Sequence, residues 1–215
     1  MAMHTHSTLY QAQVSKLGFN AEYLKLFGNI PVNNNVKDNG ANQIHADHLP
    51  FILVIFGTIH PGAPVKQFAQ DVAAYAGREN LRFLLKIIGR SGAEADHWVN
   101  EWKLAGLPVE TLGEQPTEII SQVLKSAAIG ISTSAYAMIE KSGTVAAMHE
   151  HGLPVICVSG SYTPKGIKNH LPAPVLEYKA GNFEECFMKR QAPPLNNDVN
   201  AIANQLVECF SRRQL

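Results

Sequence analysis

The sequence predicts an α/β fold, a Rossmann-like, doubly wound parallel sheet with helices on both faces. Three observations carry this. From Leu49 onward, strand-like and helix-like segments alternate at the spacing of βα units. Residues 50–56 (PFILVIF) are continuously apolar, as in a strand buried on both faces of a parallel sheet. Four predicted strands end in small, polar or Gly-containing loops, at 57–62, 89–92, 113–116 and 132–144.

Taken in order, residues 7–17 form a short amphipathic helix with Leu9, Val14 and Leu17 on one side, closed by Gly18. Residues 21–27 read as a strand. Residues 28–48 contain three consecutive Asn and the turn Asp38-Asn39-Gly40, with no apolar period. The expected organisation is therefore a helix-plus-strand remnant of a preceding domain over 1–32, a linker over 33–48, and a Rossmann-like domain over 49–215. Within it, strand 50–56 leads to a helix over about 64–76 with Phe68, Val72 and Tyr75 at core spacing. Strand 81–88 follows, then helix 93–105 with Trp98 and Trp102 at i, i+4, which read as packing residues. Strand 107–112 precedes helix 117–126, opened by Pro116. Strand 127–132, a loop or short helix over 133–142, helix 143–150 and strand 153–158 complete the regular pattern. A strand at 174–178 and helices near 182–190 and 197–212 close the chain.

The composition excludes several classes. Of 215 residues, 46% are hydrophobic and 17% charged, and Lys+Arg balances Asp+Glu at 18 each. A chain of this length buries about 70% of its extended-chain surface and needs no disulfide or metal staple. Zero net charge argues against a nucleic-acid or membrane-surface binder. No apolar run is long enough to span a bilayer, and Met1 to Ser7 lacks the apolar core of a signal peptide. The cysteines (Cys157, Cys186, Cys209) are odd in number and widely spaced, so they read as reduced thiols of a cytoplasmic protein.

In such a sheet, ligands bind beyond the carboxyl ends of the strands. None of the four loops carries G-x-G-x-x-G or a Walker A sequence, which argues against NAD enzymes and P-loop enzymes. The most informative stretch runs from Ser132 to Thr144. Ser142, Gly143 and Thr144 offer backbone N–H groups at a helix start, a site for anions. Lys141 adds a positive charge suited to a diphosphate, and Glu140 could accept hydrogen bonds from sugar hydroxyls. A plain N-cap at Ser142 is the competing explanation. His60 in the first loop could donate to a phosphate or sugar oxygen, and Arg90 in the second is a further phosphate cation. His149-Glu150-His151 resembles a metal motif, but alternate helical residues point to different faces, and His4 and His6 fall in a terminus expected to fray. No metal is expected. There is no G-x-S-x-G elbow, and Cys157 lies inside a predicted strand, so a Ser or Cys hydrolase is disfavoured.

On these residues, 50–160 resembles the C-terminal, nucleotide-sugar-binding half of a group 1 (family 4-like) retaining glycosyltransferase of the GT-B fold. The segments concerned are FILVIFGTIHPG, LRFLLKIIGRSG, VETLGEQPTEIISQVLKSAAIGIS and, most distinctively, EKSGTVAAMHEHGLPVICV. KLGFNAEYLKLFGNIPV looks like the end of such an enzyme's N-terminal domain. The resemblance implies that Gly57, Thr58 and His60 face the sugar phosphates, and that Gly113 and Glu114 line the base. It places Glu140 at the first carboxylate of the family's paired-Glu element, near the donor sugar. It has Ser142, Gly143 and Thr144 hold the diphosphate, while Lys141, a catalytic candidate with Glu140 on its own charge and position, and Arg90 would substitute for the family's cations. The second, ribose-binding Glu of that element falls at Ala147, and the family's Arg and Lys after the first strand have no clear match.

The expected function is therefore donor binding: a nucleotide diphosphate sugar as substrate, no cofactor and no metal. The resemblance covers about half a complete enzyme. The acceptor domain is expected to be missing, the chain alone not to transfer sugar, and the exposed apolar surface to favour self-association. A non-catalytic nucleotide-binding or regulatory module is the alternative, and Ala147 favours it. If the site is a drifted donor site, Ala147→Glu is expected to raise nucleotide affinity.

Overall fold

A computed structural model describes residues 3–33, 49–162, 164–165, 175–193 and 199–211. The chain opens with a small βαβ unit: β1 (Met3–Thr5), α1 (Thr8–Lys16) and β2 (Ala21–Tyr23), the two strands pairing in parallel. The terminus expected to fray thus forms a strand around His4. The strand predicted over 21–27 stops at Tyr23, because its partner among the described residues, β1, is three residues long and the last bond runs from Leu24 N–H to the Thr5 carbonyl. Most of the predicted linker, 34–48, lies outside the described residues.

The main sheet contains β3 (Phe51–Phe56), β4 (Phe83–Ile88), β5 (Val109–Gly113), β6 (Ile129–Ser132), β7 (Val155–Cys157) and β8 (Val175–Glu177). Their order across the sheet is β5-β4-β3-β6-β7-β8, with every pairing parallel. The chain thus builds outward from β3 to β5, returns to β6, and builds outward again. This is the Rossmann-like, doubly wound arrangement, with its switch point between β3 and β6. The helices between strands are α2 (Val65–Glu79), α3 (Glu94–Leu104), α4 (Thr117–Ser126) and α5 (Gly143–Glu150), with a 3₁₀ turn over Tyr136–Lys141. Two further helices, α6 (Phe183–Met188) and α7 (Val199–Ser211), follow β8.

The apolar run of β3 has a direct physical cause. Leu53 and Ile55 face one core layer, and Val54 and Phe56 face the other. Both faces are covered, so no position of the pleat can be polar. At the edge strand β5 the rule relaxes: Glu110 is exposed and pairs with Lys86 at 3.3 Å.

The first layer lies beneath α2, α3 and α6 and is rich in aromatic side chains. Trp98 and Trp102 are fully buried there, and both pack against Phe68. Phe183 and Phe187 of α6 meet Phe83 edge-on. The second layer lies beneath α4 and α5, where Leu124, Val145, Ala147 and Met148 meet Val54 and Phe56. Ile30 of the segment after β2 inserts into this layer. The Asn33 N–H donates to Ser121 Oγ and the Gly28 N–H to Glu150 Oε1, so the N-terminal unit is tied onto the main domain.

Candidate functional site

Beyond the carboxyl ends of β3, β6 and β7, three loops surround a cavity of about 560 Å³. The loop after β3 supplies His60 and Pro61. The segment after β6 supplies Thr133, Ser134 and Ala135, then Met138, Lys141 and Ser142. The loop after β7 supplies residues 159–162. The cavity therefore occupies the sheet's switch point, where strands on either side lead away and leave a crevice.

Backbone bonds fix the loops. The Gly57 N–H donates to the Ile88 carbonyl, Gly89 N–H to Gly113 and Ile59 N–H to Ser91. The His60 N–H donates to Thr133 Oγ1 at 2.8 Å and so joins the first loop to the segment after β6. Gly57 has φ +82°, and a Cβ there would lie 2.8 Å from Thr144 Cγ2. Only glycine lets the first loop pass this close to the start of α5.

Ser142 has extended backbone geometry, and its Oγ accepts from the Val145 N–H at 3.4 Å. That is the N-cap read from the sequence. The same hydroxyl lies 3.0 Å from Thr144 Oγ1 and 3.4 Å from Ser134 Oγ. A cluster of three hydroxyls thus borders the helix terminus, whose first N–H groups have no partner within the helix.

Lys141 lines the cavity, and its ammonium lies 4.3 Å above the Tyr10 ring of α1. Glu140 points elsewhere. Its Oε2 accepts from both the N–H and the hydroxyl of Thr8, each at 2.7 Å, and so holds the start of α1.

Of the residues expected at the site, His60, Lys141 and Ser142 line the cavity. Gly57, Gly143 and Thr144 belong to the turn and helix start beside it, and Thr58 is exposed between Gly57 and His60. Arg90, Gly113 and Glu114 lie at the ends of β4 and β5, outside the cavity lining. Arg90 donates to both carboxylate oxygens of Glu114, at 3.1 and 3.0 Å. These hydrogen bonds and the pairing of charge lower the pKa of Glu114 and raise that of Arg90. Ala147 is fully buried in the second core layer, and a Cβ on Gly28 would lie 2.6 Å from its Cα. The expected gain in nucleotide affinity from Ala147→Glu has no geometric basis, because that side chain faces core and not cavity.

Sequence reasoning selected the stretch Ser132–Thr144 without singling out Ser134 or Met138, and it missed the loop 159–162. The last was findable, since the rule that selected four loops selects the one after β7 as well. Thr8 and Tyr10 gave no signal, being about 130 residues from the groups they touch.

Titratable groups near the site constrain its chemistry. Cys157 at the end of β7 has its pKa pushed up to about 11, chiefly by burial, and its Sγ donates to the Ser134 carbonyl at 3.1 Å. A thiol so held is a poor nucleophile at neutral pH. Among the described residues, no three His, Cys, Asp or Glu side chains converge as a metal-binding group.

His149, near the end of α5, is pushed down to about 4 by burial, with a smaller contribution from Lys25. The unfolded chain takes up this proton near pH 6.5 and the folded chain does not. Stability is therefore complete above about pH 6.5 and falls, by up to about 3 kcal/mol, as pH drops from there to 4. Urea midpoints measured at pH 7.5 and pH 5 are expected to diverge less in His149→Gln than in the wild type.

No family model matches the chain, and a search of curated proteins finds no match. Solved structures do match. One is the lipopolysaccharide outer core galactosyltransferase WaaB in its apo form: 18% identity, TM-score 0.53, 87% of this chain and 51% of that one. A second is HepE of Anabaena, solved in complex with UDP and glucose: 15% identity, TM-score 0.59, 98% of this chain and 62% of that one. A third is a TarM mutant of S. aureus, in complex with fondaparinux, alpha-GlcNAc-glycerol and UDP: 14% identity, TM-score 0.50, 94% of this chain and 38% of that one. The chain spans between about two-fifths and three-fifths of these proteins. Its fold is the Rossmann-like α/β fold that glycosyltransferases of the GT-B type use.

Proposed function

We propose that this chain binds the donor, a nucleoside diphosphate sugar, for a retaining glycosyltransferase of hexosyltransferase type. The observation that carries this is the switch-point cavity with the Ser142-capped start of α5 and Lys141 on one side and His60 on the other. The hydroxyls and the lysine set into its otherwise largely apolar lining suit a diphosphate and its sugar. As the glycosyl bond breaks, negative charge grows on the leaving diphosphate. The N–H groups at the start of α5 and the Lys141 ammonium stabilise that charge, more in the transition state than in the ground state. His60 donates to a phosphate or sugar oxygen. Glu140 reaches the sugar only if Thr8 releases it, so its role in the docked arrangement is to hold α1. The acceptor site belongs to another domain, and the chain by itself binds donor without transferring sugar.

The test is a thermal-shift panel with UDP, GDP, ADP, CMP and sugar nucleotides. A ligand at ten times its Kd adds about 1.4 kcal/mol, or roughly 2–4 °C in a chain of this size. A shift confined to one base supports the donor site, and no shift with any compound overturns it. Lys141→Met is expected to weaken diphosphate binding about tenfold, the loss of one charge-assisted contact, while leaving the melting temperature of the free chain nearly unchanged. Titration calorimetry checks this.

One observation favours a second reading, a nucleotide-binding module without catalysis. Neither position of the family's paired carboxylates faces the cavity, since Glu140 holds Thr8 and Ala147 is buried. That reading predicts equal stabilisation by a nucleoside diphosphate and by its sugar conjugates.

A further inference from the structure

We propose that Tyr10 is a positioning residue of the switch-point site, holding the Lys141 ammonium ready for a diphosphate. The inference rests on the donor-site reading and adds a residue from the far end of the chain. Lysine carries its charge on a four-carbon stem and normally loses considerable rotamer freedom when it binds an anion. Here the ammonium is already placed, 4.3 Å above the Tyr10 ring, on a residue that lines the cavity. The nature of the partner matters. A carboxylate would fix the ammonium but cancel its charge, and the described residues show no ion pair to Lys141. An aromatic face attracts the cation through its quadrupole and leaves the full positive charge for a phosphate.

The ring is itself held. Glu140, the residue before Lys141, accepts two hydrogen bonds from Thr8, two residues before Tyr10. Leu9 between them is buried, and Gln11 Nε2 donates to the Ala21 carbonyl of the small βαβ unit. Adjacent residues of the 3₁₀ turn thus grip alternate residues at the start of α1. The N-terminal unit becomes part of the wall that presents the charge, and the charge specifically serves the diphosphate, not the base.

The test measures Kd for whichever of UDP, GDP and ADP stabilises the protein most, and for its parent nucleoside. Tyr10→Leu is expected to weaken the diphosphate three- to tenfold and leave the nucleoside unchanged, whereas a merely structural lesion would weaken both. Tyr10→Phe keeps the ring and should bind as the wild type. In the Lys141→Met background, Tyr10→Leu should have no further effect. Should Tyr10→Leu fold poorly, fluorinated phenylalanines at position 10 keep the ring's shape while draining its face, and affinity should fall with each added fluorine. Diphosphate affinity indifferent to Tyr10→Leu or to fluorination overturns this inference and leaves the donor site standing. No binding of any of the three diphosphates overturns both.

Discussion

Ala147→Glu is expected to destabilise the protein by about 3–5 kcal/mol, the scale of an uncompensated buried charge. Ala147 is fully buried on α5, between the sheet and the segment carrying Gly28. The contact is so close that Gly28 has no room for a Cβ, which would sit 2.6 Å from the Ala147 Cα and 2.7 Å from Glu150 Oε2. A glutamate side chain would have to expel Gly28 or bury its carboxylate without a cation, with Glu150 already nearby. In a chain of this size the melting temperature should fall by roughly 6–20 °C. Nucleotide affinity should not rise. A variant that melts like the wild type and binds a nucleotide more tightly would place this side chain in the cavity and refute the packing described.

Trp102→Ala should cost a similar amount, about 3–5 kcal/mol. The indole is fully buried against Phe68, and its Nε1–H donates to the Pro108 carbonyl at 2.9 Å. The substitution empties a large volume and removes one of two hydrogen bonds to the Pro108 carbonyl, which keeps the one from the Leu85 N–H at 3.1 Å. Trp98 is equally buried, but its Nε1 has no hydrogen-bond partner among the described residues. Trp98→Phe therefore loses volume only, and Trp102→Phe loses volume and a hydrogen bond. Urea denaturation should rank Trp102→Phe as the more destabilised of the two. Equal losses would mean that the Pro108 bond contributes little.

Much of this architecture was legible in the sequence because it is written in local periodicity. The unbroken apolar run of β3 reports burial on both faces, and the i, i+4 tryptophans of α3 report one helical stripe. The Ser142 cap follows from residue type and position alone. What escaped depends on side chains that meet only after folding. The pairing of Arg90 with Glu114 is one such contact. The pairing of Glu140 with Thr8, 132 residues away, is another. Strand β1 is polar and three residues long, too short for an alternation to show. Local pattern specifies elements and their faces, whereas the partner of a charge is a property of the fold.

The chain has two tryptophans, both on α3 in one core layer, and neither lines the cavity. Intrinsic fluorescence excited at the indole band is thus a reporter of the β3–β5 half alone. Unfolding of the N-terminal βαβ unit, with loss of α1, would leave that signal little changed while altering backbone circular dichroism. The two optical signals together therefore separate unfolding of the N-terminal unit from collapse of the aromatic layer, with no added label.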